Sequence, residues 1–116
     1  MSNKHQKQLS SPWFDLVCKG KKKVEGRLDK GSFHGMKVGD KIEWYNNDTG
    51  KKRKCLTKIT KITKYPSFGE MLRKEGVDIV LPGVEGIRLG VNAYRNYYTV
   101  QEENRYGVLA IELVIV

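Results

Sequence analysis

The sequence predicts an α+β domain built on a small barrel. Three observations carry that expectation. Short strand-like and helix-like patterns alternate along the chain. Two capping-box signals, Ser67-Phe68-Gly69-Glu70 and Thr99-Val100-Gln101-Glu102, mark helix starts. Tyr106 to Val116 is a long apolar run too rich in β-branched residues for a good helix. It suits a central strand buried on both faces.

The elements follow in order. Residues 1–10 form a polar stretch expected to be a flexible tail, and residues 11–116 the single domain. Ser11-Pro12 predicts a helix N-terminus, with Trp13, Leu16 and Val17 on one face and Gly20 ending it. Lys21 to Leu28 should then be a strand, and Asp29 to Gly35 a loop. Lys41-Ile42-Glu43-Trp44-Tyr45 alternates as a half-buried strand does, and Asn46 to Gly50 is a hairpin turn. In Cys55 to Tyr65 a Thr-Lys-Ile pattern repeats with period three, fitting neither helix nor strand. Its β propensity favours a bulged strand. A short helix follows Ser67, with Phe68, Met71 and Leu72 on one face, and stops at Gly76. Val77 to Pro82 is an apolar connector, and Val91, Tyr94 and Tyr98 share a helical face.

Composition narrows the function. The chain has 116 residues and a net charge of +9, with basic residues clustered in Lys19 to Lys30 and Lys51 to Lys64. In a domain this small such charge points to a polyanionic partner, most often nucleic acid. No apolar run approaches membrane-spanning length, and no basic amphipathic helix is visible, so no membrane partner is expected. Met1 to Gln8 has no signal-peptide hydrophobic region, which points to the cytoplasm, with Cys18 and Cys55 as reduced thiols. Two cysteines and two histidines, His5 and His34, make no metal-ligand pattern, and neither metal nor cofactor is expected.

The motif richest in chemistry is Gly20-Lys21-Lys22-Lys23-Val24-Glu25-Gly26-Arg27, or G-x-K-x-x-E-x-R. Glu25 and Arg27 are two apart and share a strand face. Lys22 joins them only from the helix-to-strand corner or through a kink at Gly26. In a cleft, Arg27 offers a planar fork for phosphate or a base edge. Lys22 offers a point charge, or a proton if burial lowers its pKa. Glu25 can accept from a cytosine amino group or act as a general base. The plain alternative is a surface ion pair between Glu25 and Arg27, worth about 0–1 kcal/mol, with Lys22 solvated.

This motif resembles the signature of the ASCH (activating signal cointegrator homology) domain family, matching it at Gly20, Lys22, Glu25 and Arg27. Val38 to Ile42, Tyr65 to Leu72, Tyr94 to Tyr98 and Tyr106 to Ile111 resemble later family landmarks in order. The resemblance implies an α+β, PUA-like β-barrel of about five or six strands flanked by short helices. It further implies RNA or other nucleic-acid binding, to a modified nucleoside in some members. Other members carry ribonuclease activity or hydrolyse N(4)-acetylcytidine. The acetylcytidine hydrolases are held to use a lysine, a threonine three residues later and a distant glutamate. Lys22 matches the lysine and Glu75 is a candidate for the glutamate, but Glu25 stands where the threonine would be. Catalysis by Lys22, Glu25 and Glu75 therefore stays open, as does a metal-independent ribonuclease, and binding is favoured. A protein-interaction module is a third possibility.

Binding candidates beyond Lys22, Glu25 and Arg27 are Ser67, which can cap a phosphate-binding helix terminus, and Arg95 with Tyr97, expected to be exposed. Lys51, Lys52, Arg53 and Lys54 follow the hairpin tip and can track a phosphate backbone. Tyr94 and Tyr98, by their spacing, and Trp13 and Trp44 are assigned to the core.

Overall fold

The computed structural model describes residues 2–116. Strands β1 (Lys4–Gln8), β2 (Val24–Leu28), β3 (Lys41–Asn46), β4 (Arg53–Tyr65) and β5 (Val108–Ile115) form one curled sheet, a half-barrel in the order β1-β3-β4-β5-β2. Helices α1 (Trp13–Cys18), α2 (Phe68–Glu75), α3 (Val77–Val80), α4 (Ile87–Arg95) and α5 (Val100–Tyr106) complete the α+β domain. β1 runs parallel to β3, and the other pairs are antiparallel.

Two cores flank the sheet. Phe14, Val17, Ile42, Trp44, Ile59 and Ile111 fill the concave side. Val24, Leu28, Phe68, Met71, Leu72 and Val108 pack the other side against the helices. β5 lies between β4 and β2, and Val108 to Ile111 is buried throughout, so the apolar run is the two-faced central strand the sequence predicts. β4 spans the Thr-Lys-Ile repeat, and its register against β5 shifts between Ile59 and Lys61. That bulge resolves the period-three pattern. Ser67 caps α2 by accepting from the Glu70 amide, and Thr99 with Glu102 closes a full capping box on α5. At Gly26 an added Cβ would sit 2.7 Å from both Met71 Cε and Tyr94 Oη. Glycine there lets the helices close onto β2.

Apart from α1, which buries Phe14 and Val17 and leaves the expected Trp13 and Leu16 half-buried, the structure differs from the sequence expectations in four places. Lys4–Gln8, expected within a flexible tail, forms the edge strand β1 (Met1 lies outside the described residues). Nothing in Lys-His-Gln-Lys-Gln alternates in hydropathy, because backbone pairing and polar contacts hold this strand. Asp40 accepts hydrogen bonds from the Asn3 amide at 3.0 Å, the Lys37 amide at 3.1 Å and His5 Nε2 at 3.0 Å. Secondly, β2 begins only at Val24, and Lys21 to Lys23 form the corner after α1. Thirdly, the connector after Gly76 contains the one-turn helix α3. Lastly, Cys18 and Cys55 are joined in a disulfide, with Cα atoms 5.8 Å apart. The expectation of two free thiols rested on compartment, whereas the fold sets the end of α1 beside β4.

The Asp40 contacts make β1 acid-sensitive. The His5 bond, then the Asn3 amide, lower the Asp40 pKa from 3.8 to about 2. A depressed folded-state pKa gives stability that is fully present above the unfolded value and lost as pH falls through the folded one. The protection of the Lys4–Gln8 amides, measured against their intrinsic exchange rates, should therefore be constant above pH 4 and fall between pH 4 and 2. In Asp40→Asn it should be low at all pH values.

Candidate functional site

The two edge strands of the half-barrel, β1 and β2, face one another across an open seam. The G-x-K-x-x-E-x-R motif supplies the groups that cross it. Val24, Gly26 and Leu28 turn toward the helices, so strand alternation sends Glu25 and Arg27 to the concave side. Arg27 Nη2 donates to the Gln8 carbonyl at the end of β1, 3.1 Å away. Its Nε donates to Glu25 Oε2 at 2.8 Å. The guanidinium carbon lies 5.1 Å from the Phe33 ring centroid and 5.4 Å from that of Trp44, held by cation–π attraction.

Lys22 completes the array from the corner, as the parity argument requires, yet it does not face the open side. Its side chain is fully buried, with Nζ 3.2 Å from Glu25 Oε1. The ammonium also donates to the Val24 carbonyl at 2.6 Å and to the Val80 carbonyl. Three acceptors match the three protons of the charged form. Burial pulls the Lys22 pKa below the ordinary lysine value, and Glu25 opposes that pull. Burial alone would raise the Glu25 pKa, but the charges of Lys22 and Arg27 outweigh it and hold the carboxyl below its usual range. The array is thus a buried carboxylate between two cations.

A cavity of about 110 Å³ opens beside this array. Glu25, Gly26 and Arg27 form one wall, Gln8, Leu9 and Ser10 a second, and Trp13, Tyr94, Tyr97 and Tyr98 supply aromatic surface. Tyr94 is 7% exposed and stacks on Phe68 at 4.1 Å between ring centroids, and Tyr98 stacks on the same ring at 5.4 Å. Tyr94 is a core residue, as its spacing predicts; Tyr98, beyond the end of α4, is only partly buried against that core, and both line the cavity. The Tyr94 hydroxyl is buried against the Gly26 backbone and donates to no group among the described residues. Burial holds its pKa well above the ordinary tyrosine value, so it is a neutral donor. Tyr97 is 62% exposed at the rim.

The remaining candidates are dispersed. Glu75 does not line the cavity, and its carboxylate accepts from the Tyr65 hydroxyl. Ser67 is taken up in capping α2. Arg95 is only partly exposed and donates to Glu103 Oε1 at 2.7 Å. At the hairpin, Arg53 bridges to Asp15 at 2.7 Å, and Lys54 lies 3.9 Å from Glu43. Lys52 sits 5.0 Å from the Tyr45 ring centroid, and Lys51 is exposed. Sequence reasoning missed the wall Gln8 to Ser10, assigned to the tail, and the second role of Trp13, Tyr94 and Tyr98. No hydropathy signal marks the first. Aromatic spacing cannot distinguish a core ring from one whose edge borders a cavity.

Comparison with known proteins gives a consistent result. No curated protein matches. The crystal structure of hypothetical protein PH0355 is similar, at 41% identity over 97% of this chain and 99% of that one, with a TM-score of 0.87. The solution structure of PF0455 from Pyrococcus furiosus is 37% identical over 97% of each chain, with a TM-score of 0.78. The crystal structure of a mutant of ZmASCH from Zymomonas mobilis shares the fold, with a TM-score of 0.59 and 14% identity over 94% of this chain and 66% of that one. The ASCH domain model matches residues 8–116. This chain therefore belongs to the ASCH domain family.

Proposed function

We propose that this domain binds RNA and receives one unstacked base, modified or not, in the seam cavity. The carrying observation is the composition of that cavity. Aromatic rings together with Leu9, Leu81 and Ala93 form its apolar surface, and its ionic edge is the Glu25–Arg27 pair. Single-stranded RNA is read in this manner, with bases on aromatic faces and hydrogen bonds to their edges. The Tyr94 hydroxyl, whose proton has no acceptor among the described residues, offers a further donor. The net charge of +9 favours a polyanion over a neutral small molecule.

Three features weigh against catalysis. Lys22 and Arg27 hold the Glu25 carboxyl below its usual range, the direction opposite to that which suits a general base at neutral pH. The Lys22 ammonium is enclosed by three acceptors away from the cavity. Glu75 is engaged with Tyr65.

Tyr97→Ala is the sharpest test, because an exposed rim side chain can be removed without disturbing the core. It should weaken binding of a single-stranded RNA oligomer by about 1–3 kcal/mol, the worth of one stacked base. Fluorescence anisotropy measures this. Affinity for the unaltered protein should fall steeply between about 50 and 200 mM salt. An oligomer affinity indifferent to both Tyr97 and salt would overturn the proposal.

A further inference from the structure

A second cavity, of about 180 Å³, adjoins the first and shares Arg27 and Tyr98 with it. Its lining includes Lys7 from β1, Arg27 from β2, and Lys30, Ser32 and Phe33 from the loop after β2. Three cations meet here and no carboxylate lines the space. Lys7 Nζ lies 4.9 Å from the Phe33 ring centroid and Arg27 Cζ 5.1 Å from the same point. Both charges are thus gathered around one ring.

The partners of these groups make the arrangement more pointed. Lys7 donates to the Ser32 hydroxyl, and no carboxylate pairs with it among the described residues. It shares that with several surface lysines, whereas Lys4 and Lys54 face Glu43 and Lys64 faces Asp29; what sets Lys7 apart is its place beside Arg27 and Phe33. Lys30 reaches Glu102 at 3.2 Å, where the glutamate is half-buried and held in the α5 capping box but the lysine end is exposed to solvent, so the pair is of the weak surface kind. Glu25 holds Arg27 through Nε and the Gln8 carbonyl accepts from Nη2, which leaves Nη1 as the donor for an anion. Converging like charges repel, and a bound anion relieves that repulsion. A hydroxyl beside an ammonium and a planar guanidinium suits phosphate oxygens.

We propose that this second cavity is a phosphate subsite, and that the ligand spanning both cavities is a nucleotide, its base in the first and its phosphate between Lys7, Arg27 and Lys30. The nucleotide part rests on the base-binding reading above; the phosphate site stands by itself. The phosphate can belong to a free mononucleotide or to the chain of an RNA strand.

The test combines inorganic phosphate, a nucleoside, its 5′- and 3′-monophosphates and a dinucleotide, titrated at low salt and followed by NMR. Inorganic phosphate should shift the Lys7 and Ser32 amide signals. One monophosphate should bind at least about tenfold more tightly than the nucleoside, as hydrogen bonds to a charged group imply. The Lys7→Gln/Lys30→Gln double variant should lose that preference and keep the affinity for the nucleoside. Lys7→Arg should retain the preference, which separates charge from a packing effect. A dinucleotide that binds more tightly than either monophosphate assigns the phosphate to a strand, and one that binds more weakly assigns it to a free nucleotide. Absence of inorganic-phosphate shifts, or a preference that survives in the double variant, would overturn the subsite. Phosphate shifts without any nucleoside binding would uphold the subsite and overturn base binding instead.

Discussion

Lys22→Met should cost about 3–5 kcal/mol of folding stability, the penalty for breaking a buried ion pair from one side. The substitution keeps the unbranched stem and removes the ammonium. It leaves Glu25 Oε1 and the carbonyls of Val24 and Val80 without their donor, in a region closed to water. For a domain of this size the melting temperature should fall on the order of 15 °C. Glu25→Gln should be destabilising for the complementary reason, because Lys22 then stays buried with no carboxylate beside it. The double variant Lys22→Met/Glu25→Gln should lose less than the two single losses combined, since neither Lys22 nor Glu25 then leaves the other unpaired, while Arg27 loses its carboxylate in both Glu25 variants alike. Urea unfolding of the four proteins measures the cycle. A loss below 1 kcal/mol in Lys22→Met would mean that the ammonium is solvated and the array is a surface feature.

Reduction of the Cys18–Cys55 bond carries the second large effect. The bond spans 37 residues of sequence and ties α1, which leads into the Lys22 corner, to β4. Closing a loop of that length in the unfolded chain is worth about 3–4 kcal/mol in the chain-entropy account. Cys18→Ser/Cys55→Ser should lose that amount in denaturant unfolding, and the oxidised protein should match it when unfolded in excess reductant. Identical unfolding curves with and without reductant would show that the bond does not form in solution.

The fold and the site were legible to different degrees. Binary pattern and capping chemistry are local, so α2, α5, β3 and the buried run of β5 could be found from their residues alone. β1 could not. Its five polar residues carry no periodic signal, and their order comes from Asp40 and β3, more than thirty positions away. The disulfide was hidden for a similar reason, since two cysteines far apart in sequence meet only once the sheet has curled. At the site, period-two alternation correctly put Glu25 and Arg27 on one side. It also placed Lys22 at the corner, but it could not foresee that the Val80 carbonyl of α3 would enclose the ammonium. The cavity wall at Gln8 to Ser10 follows from β1 and was lost with it. Arg95 illustrates the limit of charge counting, because its exposure depends on Glu103 of the neighbouring helix.

These observations converge on one arrangement. The ion array of Lys22, Glu25 and Arg27 spans the seam of the half-barrel and fixes the edge of an aromatic cavity. In the proposed function it holds a wall in place and presents a carboxylate and a guanidinium to a base. The most direct measurement is an NMR titration with nucleosides, cytidine and N(4)-acetylcytidine among them. Signals of Gly26, Arg27, Tyr94, Tyr97 and Tyr98 should shift together and saturably, with no release of acetate. Shifts confined to the Lys51–Lys54 hairpin, or no saturable shift at the seam, would contradict the account.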